Sequence, residues 1–122
     1  MPPQSRPPPR NIWSLPRGYT DHHLGVDAKN AQIIEVEGDS MEPTLHAGDR
    51  VMIDLTSMEP SPAGIFALWD GSGVVIKRIE KKLGANPPTL LARSDSPHYD
   101  DVEMCEEAAT IVGRVVWAAR KM

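Results

Sequence analysis

From Ile33 onward the apolar residues of this chain come in short runs, each closed by glycine, proline, asparagine or aspartate. That texture restricts the chain to strands joined by tight turns. IIEVE (33–37) alternates weakly, and DRVMID (49–54) sets Val51 and Ile53 against Arg50, Met52 and Asp54. GIFALWD (64–70) is almost continuously apolar, as in a strand covered on both faces. Asp70-Gly71-Ser72-Gly73 is a hairpin signal leading into GVVIKRIEKK (73–82). Asn86-Pro87-Pro88 breaks the chain before TLLAR (89–93), and a loop rich in Asp, Ser and Pro follows. Short helical turns fit near Asp27–Asn30 and Glu106–Ala109. The last run, TIVGRVVWAAR (110–120), reads as a long strand with Gly113 at a bulge or bend. The pattern predicts a mostly β fold: a small, strongly bent, barrel-like antiparallel sheet.

Residues 1–17 stand apart. Half of the chain's 12 prolines lie before Arg17, and Arg6, Arg10 and Arg17 are accompanied by no acid. This span reads as an extended arm or linker, with residues 18–122 as the folded domain. The formal charge of −4 includes those three arginines, so the remainder carries −7. An acidic domain without a helix-turn-helix pattern, zinc-finger spacing or basic stripe is a poor grip for phosphate backbones. DNA contact is therefore expected only through a helix-turn-helix domain absent from this chain. Cys105 is the lone cysteine, which rules out an intrachain disulfide and fits a reducing compartment. No apolar run approaches the roughly 18 residues of a bilayer span, and no signal-peptide core is present. The expected location is the cytoplasm, away from membranes.

The stretch richest in chemistry is VEGDSMEPTLHAGDRVMID, residues 36–54. Gly38-Asp39-Ser40 places a hydroxyl after a glycine turn at a strand end, where backbone N–H groups can face a substrate oxygen. Met41-Glu42-Pro43-Thr44-Leu45 could begin a helical turn whose first N–H groups favour developing negative charge. A serine nucleophile needs a base. His22, His23, His46 and His98 sit in no recognisable triad signature. Strand alternation puts Val75, Lys77 and Ile79 on one face and Val74, Ile76 and Arg78 on the other. An amine between Val and Ile is exposed to desolvation, which lowers a lysine pKa toward the range of a general base. Arg78 cannot serve, because its guanidinium stays protonated. The plainer readings remain open on these grounds alone: Ser40 as a turn or cap residue, Lys77 as a snorkelling surface lysine.

GDSMEPTL, GDRVMID, VIKRIEK and IVGRVVW together resemble the peptidase half of LexA-type and phage repressors. The likeness runs from about Ile33 to Trp117, and Ser40 and Lys77 stand 37 positions apart, as in that family's arrangement. It implies a fold like the LexA C-terminal, signal-peptidase-like domain and a serine peptidase with a Ser–Lys dyad. Ser40 would be the nucleophile, Lys77 the base, and the backbone N–H groups of Asp39 and Ser40 the oxyanion hole. Gly38, Met41, Pro43, Gly48 and Asp49 would shape and pack the loop. The family further implies transcription regulation, the SOS response, autoproteolysis triggered by a RecA-type filament, and a homodimer through the C-terminal strand. That strand is long and apolar, and an exposed edge there would invite pairing.

Three functions compete: a repressor's peptidase and dimerisation half, a stand-alone processing peptidase of signal-peptidase type, and a non-catalytic accessory subunit of the cleaved mutagenesis-polymerase kind. The signal-peptidase reading is weakened by IEKKLGANPP, which stands where those enzymes carry a longer glycine- and proline-containing stretch. Self-cleavage at a family-type bond is not expected. The only Ala-Gly pairs, Ala47-Gly48 and Ala63-Gly64, lie downstream of Ser40, and no Cys-Gly bond exists. His22-His23 lack companions for a metal, so no metal or cofactor is expected. Cys105 before Glu106-Glu107 is held as a thiol. Asp100, Asp101, Glu103, Glu106 and Glu107 read as a solvated face, and Trp13, Trp69 and Trp117 as too scattered for a stacking platform.

Overall fold

Alternating apolar residues bounded by turn formers give eight strands in a computed structural model describing residues 12–13 and 28–120. They are β1 (Ile12–Trp13), β2 (Ala31–Glu35), β3 (Arg50–Asp54), β4 (Gly64–Trp69), β5 (Val74–Lys81), β6 (Thr89–Arg93), β7 (Val102–Cys105) and β8 (Ile111–Ala119). All described pairings are antiparallel, in one sheet of order β1-β2-β3-β8-β4-β5-β6-β7. Short 3-10 turns span Ala28–Asn30 and Glu106–Ala108. The mostly β antiparallel expectation is borne out. His22-His23 and most of the proposed arm lie outside the described residues, but Ile12–Trp13, within that span, pairs with β2.

The two faces of the sheet carry separate cores. Ile34, Val51, Ile53, Ala67, Ile76 and Val112 pack with Met41 and Leu45 on one side. Phe66, Leu68, Ile79, Leu90 and Ala92 pack on the other. β4 contributes to both, as its unbroken apolar run requires. At the β4–β5 hairpin, Asp70 Oδ1 accepts the N–H groups of Ser72 and Gly73 at 2.8 Å each. Those bonds hold the Asp70 carboxyl below its ordinary pKa. β8 slips register against both neighbours, between Met52 and Ile53 and between Ala67 and Leu68. Gly113 sits beside the second slip, where β8 crosses close to the Asp54 carbonyl.

Two expectations need correction. β8 is not an exposed edge: it lies between β3 and β4, although Val115–Ala119 pair with β3 alone among the described residues. The acidic span 100–107 contains β7, and its acids Asp100, Asp101, Glu103 and Glu107 are exposed, as expected of a solvated face. Met104 of β7 packs inward, while Val102 and Glu103 remain exposed. Charged side chains there suit an edge strand that must resist pairing. Second, residues 41–45 form turns and no helix. Leu45 N–H reaches the Met41 carbonyl, but the next donor, His46 N–H, turns to Asp49 Oδ2, so the ladder stops there.

Candidate active site

Ser40 stands on the turn leaving β2. Gly38, at φ +76°, takes the left-handed conformation that a side chain would disfavour, and Gly48, at φ +93°, does the same where the loop returns. Val36 N–H bonds the Asp49 carbonyl at 2.7 Å and Gly48 N–H bonds the Val36 carbonyl at 2.9 Å, closing the loop at its base. Asp49 is buried and accepts the His46 N–H at 2.9 Å. Met41, directly after the serine, is only 2% exposed, and Leu45 is also buried. Burying a methionine contributes roughly 1.5–3 kcal/mol, which anchors the turn to the core. Pro43 and Asp39 face solvent.

Lys77 lies on β5 with Val75 and Ile79, facing the second core. Burial pushes its pKa below the ordinary 10.5. The Tyr99 ring, 5.6 Å from Nζ, favours the ammonium form and so acts in the opposite sense. Nζ donates to Ser94 Oγ at 2.8 Å. The Ser40 hydroxyl makes no hydrogen bond among the described residues, so the expected pair is not joined directly.

What links their surroundings is the segment Ser94–Tyr99, which the sequence reading took as a loop. Ser96 N–H bonds the Ser40 carbonyl at 2.9 Å. Tyr99 Oη donates to Asp39 Oδ1, and Thr44 Oγ1 donates to Asp95 Oδ2. Arg78 grips Asp95 with two N–H groups, at 2.8 and 2.7 Å. The hydrogen bond from Arg78 holds the Asp95 carboxyl below its usual range, despite partial burial. Two planar donors on one carboxylate fix geometry as well as charge. One segment thus ties the Ser40 loop at three points and the Lys77 strand at two. No local signal in ARSDSPHY (92–99) marks this, because the contacts depend on register across the sheet. Arg78 pairs with Arg93, which brings Ser94 beside Lys77.

Lys77 and Ser94 stand on the wall of a cavity of about 510 Å³, with Leu68, Val75, Val102 and Met104 as apolar lining. Its size suits a peptide side chain or small ligand. Ser40 does not line it.

Residues 13–116 match the family model described as Peptidase S24-like. The chain is 31% identical over 91 residues to the Repressor protein CI of Enterobacteria phage phi80, covering 75% of this chain and 37% of that protein. It is 28% identical over 96 residues to an uncharacterized HTH-type transcriptional regulator of Haemophilus influenzae, covering 76% of this chain and 39% of the relative. The chain therefore spans well under half the length of these curated relatives.

Proposed function

Because this chain belongs to the peptidase S24-like family, we propose that it is the C-terminal peptidase and dimerisation module of a LexA- or phage-type transcriptional repressor. Ser40 is its nucleophile and Lys77 its general base. The observation that carries this reading is the half-buried amine of Lys77 on an apolar strand face, tied through Ser94–Tyr99 to the loop bearing Ser40.

In the proposed reaction, neutral Lys77 takes the Ser40 proton as Oγ bonds to the scissile carbonyl carbon. The resulting oxyanion is met by the N–H groups of Asp39 and Ser40, neither of which donates to a backbone carbonyl among the described residues. Lys77 then gives the proton to the departing amine, and water hydrolyses the acyl-serine. A fluorogenic peptide with an Ala–Gly bond in an apolar context is expected to be cut increasingly fast as pH rises. Ser40→Ala should show no cleavage, and equal rates for the two proteins would refute the peptidase reading.

A second copy of the chain is the proposed partner, docking where Val115–Ala119 have β3 on one side only. Val116 and Ala118 are exposed there, whereas Val115 packs on the core. Val116→Glu should raise the dimer dissociation constant at least about tenfold in sedimentation equilibrium, since a charge enters an apolar contact. A wild-type monomer at high micromolar concentration would contradict the dimer. A RecA-type filament as inducer, and DNA contact through a separate helix-turn-helix domain, belong to the same proposal.

A further inference from the structure

Resting on the dyad reading, we propose that Ser94 is a positioning residue for the general base, holding Lys77 by accepting one N–H so that its lone pair stays available to Ser40. The contact is 2.8 Å from Nζ to Oγ. It arises where β6 ends, one position beyond the Arg78–Arg93 pair.

Ser94 is itself held on both flanks. Arg93 bonds Glu80 at 2.9 Å, and Asp95 is gripped by the Arg78 fork. The hydroxyl is therefore presented from a fixed backbone, while Lys77 reaches it on a long flexible stem. Around the amine the cavity wall is largely apolar, with Leu68, Val75, Val102 and Met104 in its lining. Asp70, Asp100 and Thr110 also line it, but Ser94 Oγ is the acceptor that Nζ reaches among the described residues.

The chemistry suits both protonation states. The ammonium has three donors and the neutral amine has two donors and a lone pair. In each state one N–H can remain on Ser94 Oγ. Once the amine is neutral, the tetrahedral nitrogen then directs its lone pair away from Ser94. A lysine without this anchor would spend much of its time in unproductive rotamers, and small misplacements of a catalytic group are costly in rate.

The test compares wild type, Ser94→Ala and Ser94→Thr by two readouts: the ¹³Cε titration of Lys77 by NMR, and the pH profile of Ser40 phosphonylation. In Ser94→Ala the Lys77 midpoint is expected to move to lower pH, because a still-buried ammonium has lost an acceptor. The alkaline plateau of labelling should fall about tenfold or more, and Ser94→Thr should restore both. A merely structural role would loosen the site and move the midpoint upward, toward an ordinary lysine. An upward or absent shift in Ser94→Ala, or an unchanged plateau, would overturn the proposal, as would adduct found on Ser94. Absence of labelling in wild type would instead refute the dyad, while the titration still decides whether Ser94 holds Lys77.

Discussion

Replacing Lys77 with alanine is expected to slow phosphonylation of Ser40 by at least about a hundredfold at pH 8, within the range that a positioned base contributes. The serine hydroxyl is a poor nucleophile while it keeps its proton, and in the proposed dyad Lys77, whose pKa burial lowers, is the amine that accepts it. Lys77→Met should be equally slow. It fills the apolar wall almost as lysine does, so failure of both variants separates lost base from lost packing. The sign of the pH dependence follows from the same group. Only the neutral amine can take a proton, so wild-type labelling should rise with pH and level off below the ordinary lysine value of 10.5. Stability carries a related signature: the folded chain binds the Lys77 proton less tightly than the unfolded one. Raising pH from the depressed pKa toward the ordinary value therefore removes a penalty on the folded state. Rates of the variants within threefold of wild type would exclude Lys77 as the base.

The second large effect is on the fold. A Cβ at Gly113 would lie 2.3 Å from the Asp54 carbonyl oxygen and 2.7 Å from Ile53 Cγ2. The nearest obstacle is backbone of a paired strand, so neither partner can swing aside. Gly113→Ala should cost about 3 kcal/mol, at the upper end for overpacking. That is a large share of the roughly 5–15 kcal/mol that keeps a domain folded. Gly73→Ala is the control, because nothing lies within 4 Å of its added carbon. Urea denaturation should show the midpoint falling sharply for Gly113→Ala and staying within about 0.5 kcal/mol of wild type for Gly73→Ala. Equal midpoints would mean that β8 does not pass so close to β3.

Local patterning made much of the sheet legible. The alternation through Val75, Lys77 and Ile79 gave the face of β5 that packs on the second core, Ile76 facing the first, and Asp70-Gly71-Ser72-Gly73 marked its hairpin. Gly113 was expected at an irregularity, and it stands beside one. What local patterning could not supply was neighbourhood. β8 was read as an edge because it is long and terminal, but a run apolar on both faces belongs in the interior, as β4 already illustrated. β7 was hidden because it is only four residues long, with Val102, Glu103 and Cys105 exposed and only Met104 packed inward. The role of Ser94–Tyr99 was invisible for a third reason. Its serines, aspartate and tyrosine look like loop residues, and their partners lie on β5 and on the Ser40 turn. Those contacts exist only once the β5–β6 register is fixed.

Peptide mapping after treatment with a serine-directed phosphonate tests the central claim most directly. The chain has several serines, among them Ser94 on the cavity wall beside Lys77, so the position of the adduct decides the chemistry. The expected result is a single adduct on Ser40 in wild type, absent from Ser40→Ala and nearly absent from Lys77→Ala. An unmodified Ser40 after prolonged treatment at alkaline pH, or an adduct on Ser94 in its place, would contradict the Ser40–Lys77 dyad.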